Sequence, residues 1–150
     1  MRADLVIVGG GPAGLATAIC AAQRGLSAVV VERRGRPLDK SCGEGLMPGG
    51  VAALAAMGVE IPAAERAPFH GIRYVDGEIV ADGRFANGPG WGIRRTALVD
   101  AMVARAQVLG VGLRYGCRRS RLAAHRRRCG AADRQRRGQR LPAGGRRRAA

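Results

Sequence analysis

The hydrophobic pattern changes period twice within the first 32 residues. Leu5–Val8 is an unbroken apolar run, entered from Asp4 and left through Gly9-Gly10-Gly11. A short apolar run bounded by glycine predicts a strand buried on both faces, as at the centre of a parallel sheet. The period then lengthens, with Leu15, Ala18, Ile19 and Ala22 at helical spacing, Pro12 in the first turn and Gly25 at the stop. Ala28–Val31 is a second short apolar run, closing on Glu32. Strand, helix and strand in this order predict a β-α-β unit with a right-handed crossover.

Further along, residues 33–50 read as a loop, and a short helix is expected over Val51–Met57 with Gly58 ending it. Ile72–Val75 and Glu78–Ala81 flank Asp76-Gly77, a two-residue hairpin signal. Thr96 is placed to cap a helix whose apolar face is Leu98, Val99, Met102, Val103, Ala106 and Leu109, with Gly110 as its stop. Val111–Tyr115 predicts a third parallel strand. The fold class expected is α/β, the Rossmann-like start of a doubly wound parallel sheet.

From Cys117 the pattern ends. The chain carries a net charge of +15, but residues 1–116 hold 13 Lys or Arg against 10 acids, whereas residues 117–150 hold 13 Arg against Asp133 alone. The only large aliphatic residues after Cys117 are Leu122 and Leu141, so no apolar face forms at either period and this Arg-rich tail is expected to be disordered. Cys20, Cys42, Cys117 and Cys129 show no metal-ligand or disulfide spacing, which argues against a metal and for a reducing, cytoplasmic setting. The first apolar run is too short for a membrane span or a secretion signal.

The chemistry lies in Gly9-x-Gly11-x-x-Gly14, which follows the first strand, opens the helix and is answered by an acid 18 residues beyond Gly14. In that context the pattern is a dinucleotide-binding fingerprint rather than a stray glycine run. Gly9 permits the tight turn, Gly11 lets backbone approach a pyrophosphate, and Gly14 lets helix and strand pack closely. Pro12 and Ala13 complete the helix start, where free N–H groups and the helix dipole favour an anion. Glu32 can accept hydrogen bonds from both ribose hydroxyls and disfavours a 2′-phosphate, an exclusion that Arg33 and Arg34 soften.

These residues resemble FAD-dependent oxidoreductases of the flavoprotein monooxygenase (aromatic hydroxylase-like) and geranylgeranyl reductase-like family. The likeness rests on Asp4–Leu15 with Glu32-Arg33, on Asp39-Lys-Ser-Cys-Gly-Glu-Gly-Leu-Met-Pro48, on Phe69–Tyr74 and on Gly92-Ile-Arg-Arg-Thr-Ala-Leu98. It covers about residues 3–116. It implies FAD as cofactor, with Gly9, Gly11 and Gly14 on its pyrophosphate, Glu32 on the ribose and Arg33 on the adenine side. Arg95 matches an arginine that contacts the cofactor's phosphate region, and the alternative is an ordinary solvated residue at a helix start. The Cys42–Gly45 loop resembles one that passes near the flavin in reductase-like members, while Cys42 also suits a small buried thiol in a turn. Glu44 has no assignable partner, and His70 and Trp91 have no catalytic role. The resemblance further implies NADH or NADPH as co-substrate, a small-molecule substrate and the start of a substrate-domain insertion around residues 66–93. It names no catalytic acid or base.

The family's later Gly-Ala-Asp-Gly and Gly-Asp motifs are missing from the sequence, which is therefore expected to be the N-terminal part of the domain, truncated and inactive as written. Gly145-Arg146-Arg147-Arg148 admits a coding that reads Val-Gly-Ala one base out of frame, so a frame lost near Gly116 is one origin for the tail. Two other functions fit parts of the chain. An NAD-dependent oxidoreductase would share the fingerprint, and the arginines would bind nucleic acid non-specifically, without aromatic residues for base stacking.

Overall fold

The computed structural model describes residues 3–36, 39 and 44–117. The Arg-rich tail and Cys42 lie outside the described residues. Strand β1 (Leu5–Val8) leads through the glycine turn into helix α1 (Pro12–Gln23), and β2 (Ala28–Val31) returns parallel to β1 with Leu5 opposite Ala28 and Val8 opposite Val31. Asp4 ties the two strand starts together by accepting from the Ser27 hydroxyl at 2.6 Å and from the Ser27 N–H at 2.9 Å.

Helix α2 (Pro48–Met57) begins three residues earlier than expected. Pro48 sits in its first turn, as Pro12 does in α1, where a missing N–H costs nothing. Its C-terminus is held from outside: Gly58 has φ +67, and the Met57 carbonyl accepts from Arg105 Nε at 2.9 Å and Gln23 Nε2 at 3.2 Å. Helix α3 (Arg95–Val108) carries Val99, Met102, Val103 and Ala106 on its buried face, as the spacing predicts. Thr96 is not its cap. The N-cap position is Arg94, which makes no side-chain capping bond, and Thr96 lies one turn-position inside the helix.

In the parallel sheet, β2 lies between β1 and β8 (Gly112–Arg114). Leu15, Ala18, Ile19, Val30, Val99, Met102, Val103 and Ala106, each at most 2% exposed, form the centre of a core between α1, α3 and one sheet face. Among the described residues nothing covers the other face of β1: Val6 is 48% and Val8 72% exposed. The expectation of a strand buried on both faces is thus corrected. A doubly wound sheet runs 3-2-1-4-5-6, so β8-β2-β1 corresponds to its 3-2-1 half, and β1 is an edge among the described residues.

A second sheet was not foreseen. The short strand β3 (Gly45–Leu46) and β4 (Arg66–Phe69) both pair antiparallel with β7 (Gly90–Ile93). The hairpin of β5 (Gly71–Asp76) and β6 (Ile79–Arg84) forms as expected, but its turn is Gly77-Glu78 rather than Asp76-Gly77. Gly77, first of the two central residues, has φ +58, and each β5 residue meets a partner two positions further along than the expected turn would give, Val75 facing Val80 rather than Glu78.

Candidate nucleotide-cofactor site

The fold requires glycine at positions 9 and 14 of the β1–α1 turn, each for a different reason. Gly9 has φ +112, a region that side chains with a Cβ rarely adopt. A Cβ on Gly14 would land on the Gly9 carbonyl oxygen and lie 3.3 Å from Ile7 Cγ2, so only glycine lets α1 rest this close to the turn. Gly11 is in extended backbone (φ −78, ψ 178) open to any residue. A Cβ there would meet nothing nearer than Arg95 Nη2 at 3.9 Å. The fold therefore does not demand glycine at position 11.

The first bond into α1 runs from the Leu15 N–H to the Gly11 carbonyl at 3.0 Å. Ahead of it, the N–H groups of Gly11, Ala13 and Gly14 have no partner among the described residues. No side chain caps this helix and no acid lies in its first turn. The positive end of the dipole is therefore open to an anion.

Glu32 is fixed by four hydrogen bonds. Its N–H donates to the Arg114 carbonyl at 2.8 Å and its carbonyl accepts from the Cys117 N–H at 3.1 Å, so β8 holds the backbone. Its carboxylate accepts from the Gly10 N–H at 2.8 Å and the Arg34 N–H at 2.9 Å. The Gly10 bond is the main reason the carboxyl is held below its ordinary pKa, against the opposing effect of partial burial. A carboxylate has about four lone-pair sites, so two backbone bonds leave capacity for ligand hydroxyls.

Arg95 reaches the same place from α3. Its Nε is enclosed and has no hydrogen-bond partner among the described residues. Enclosed polar atoms are nearly always satisfied, and an unmatched guanidinium nitrogen suits an acceptor supplied by a ligand.

Gly11, Glu32, Arg33 and Arg95 line one cleft of about 270 Å³. Gly9, Pro12, Ala13 and Gly14, the other residues expected to hold the cofactor, lie in the adjoining turn and the first turn of α1 and are not among the residues that line it. Arg34 and Asp39 also line it, and neither was among the site residues read from the sequence. Arg34 could have been found as the second cation after the strand-ending acid, whereas no local signal marks Asp39. A larger hollow of about 580 Å³ lies over the second sheet, lined by Glu44, Glu65, Arg66, Phe69 and Arg94 among others. It contains none of the fingerprint residues.

Residues 2–135 match the family described as FAD binding domain. The chain belongs to that family. Menaquinone reductase of Mycolicibacterium smegmatis is 47% identical over 72 residues, 48% of this chain and 18% of that protein. Menaquinone reductase of Mycobacterium tuberculosis is 34% identical over 120 residues, 77% of this chain and 29% of that protein. Among solved structures, a flavoprotein/dehydrogenase from Cytophaga hutchinsonii superposes with a TM-score of 0.66 at 26% identity, over 75% of this chain and 30% of that one. The chain thus spans less than a third of the length of these relatives. Over residues 2–135 it is of the FAD binding domain family, and FAD is the cofactor that family binds. No helix among the described residues is long and apolar enough to cross a membrane.

Proposed function

We propose that the cleft in front of Gly11 holds the adenosine diphosphate half of FAD. The N–H groups of Gly11, Ala13 and Gly14 hold the pyrophosphate, Glu32 the ribose, Arg33 the adenine side, and Arg95 the phosphates from across the cleft. The observation that carries this reading is the convergence of Gly11, Glu32, Arg33 and Arg95 on one cavity from elements up to 84 residues apart in sequence. The donor set fits the ligand: free amides and an unmatched guanidinium nitrogen for a diphosphate, and a fixed carboxylate with spare acceptor capacity for hydroxyls.

Residues 1–116 are, on this reading, the start of the FAD domain, with the strands around 66–93 opening a substrate-binding part. When bound, FAD would supply the redox chemistry, with NADH or NADPH as the proposed co-substrate. The mycobacterial relatives make a quinone of the menaquinone class the first substrate to test on the whole protein. In the chain described, the residues bind and orient the cofactor.

The test is competition. FAD binding, followed by quenching of flavin fluorescence, is expected to be displaced by ADP and barely affected by FMN, which lacks the adenosine half. Equal competition by FMN, or none by ADP, would overturn the assignment.

A further inference from the structure

Glu44 has a backbone conformation that its residue type does not favour. It is the only residue other than glycine with positive φ among those described, at +52, although its sequence neighbours on both sides are glycines. A non-glycine residue persists in that region where its surroundings over-determine it. Two bonds do so here. The Glu44 carbonyl accepts from the Ile93 N–H at 2.8 Å, and its side-chain Oε1 accepts from the Arg95 N–H at 3.1 Å.

The second bond lies at the start of α3, where Arg94 makes no capping bond and the first turn contains no acid. Two consecutive arginines at the positive end of a helix dipole are electrostatically unfavourable. A carboxylate from 51 residues upstream offsets that charge and takes up an orphan N–H. It bonds the Arg95 backbone, and among the described residues the Arg95 guanidinium has no salt-bridge partner. Arg95 is therefore held in place without having its charge occupied. Arg94 then lines the larger hollow over the second sheet, while Arg95 lines the nucleotide cleft.

We infer that Glu44 is a positioning residue for the FAD phosphates: it fixes the β7–α3 junction so that the Arg95 fork meets the diphosphate unpaired. This rests on the proposed role of the cleft. The test is a double-mutant cycle on the full 150-residue chain, with ADP as the probe and binding measured by calorimetry. Arg95→Ala is expected to weaken ADP binding about a hundredfold and Glu44→Ala about tenfold, since lost positioning degrades the contact without deleting it. Glu44→Gln keeps an acceptor oxygen and is expected to stay within about threefold of the parent.

In the Arg95→Ala background, Glu44→Ala is expected to add almost nothing, because the two residues act through one contact. Should Glu44→Ala fail to fold, Glu44→Gly replaces it, since glycine adopts the observed φ and lacks the carboxylate. Additive losses in the double variant would assign Glu44 a general structural role and overturn the inference. So would unchanged ADP affinity in Glu44→Ala. Failure of Arg95→Ala itself to weaken ADP binding would instead overturn the reading of the cleft, and the inference with it.

Discussion

Val30 and Val80 are the same residue type in strands of similar length, yet Val30 is 2% and Val80 54% exposed. The difference is what lies above each strand. β2 runs between two parallel neighbours, with the core of α1 and α3 against its sheet, and three of its four residues are buried. Among the described residues β6 pairs with β5 alone, and all six of its residues are exposed. Apolar strands become a core only where a second layer covers them. The cleft proposed to hold the nucleotide is lined by Gly11 and Glu32, which flank elements of the covered region, and by Val99 of its core.

The largest way to break this contrast is to truncate the core. Leu15→Ala, at a fully buried position, is expected to cost about 2–5 kcal/mol. Val80→Ala is expected to stay within about 0.5 kcal/mol. Urea denaturation of both variants checks the pair, and equal midpoints would remove the distinction. Gly14→Ala comes next, at about 1–3 kcal/mol, because a backbone carbonyl cannot yield as a flexible side chain does. Its thermal midpoint is expected to fall although the added group is a single methyl.

Gly77→Ala forces a Cβ into φ +58 and is expected to cost about 1–2 kcal/mol within the hairpin. Hydrogen exchange reads this locally, with faster exchange in β5 and β6 and no change in β2. The smallest effect concerns pH. The folded pKa of Glu32 is depressed, so its contribution is complete above the unfolded value of 4.5 and is lost as pH falls through the lower folded value. Glu32→Gln is therefore expected to flatten the acid limb of the stability curve and leave the slope near neutral pH unchanged.

The same contrast explains what the sequence makes legible. α1, β2 and α3 lie close to their expected bounds because their apolar period and their burial agree, and β1 keeps its expected bounds with only one face covered. The second sheet escapes because its strands lack that signal: β4 contains Pro68, β7 alternates Gly90 and Gly92 with large residues, and β3 is two residues long. They are strands only through pairing with one another at long range. The exposed Val6 and Val8 mislead in the opposite sense, since an apolar run reports what a strand can be covered by, not what covers it. In the candidate site, Gly11 and Glu32 follow from a local motif, and Arg33 and Arg95 follow from family resemblance. The Glu44 bond to Arg95 spans 51 residues and depends on a positive φ that no local pattern encodes.

Gly11→Val separates fold from function most directly, because the backbone there accepts any residue and the added side chain enters only the cleft. A thermal midpoint close to that of the parent is expected, together with loss of ADP and FAD binding. Retained binding at an unchanged midpoint would show that the ligand does not lie in front of Gly11, and would contradict the assignment of the cleft.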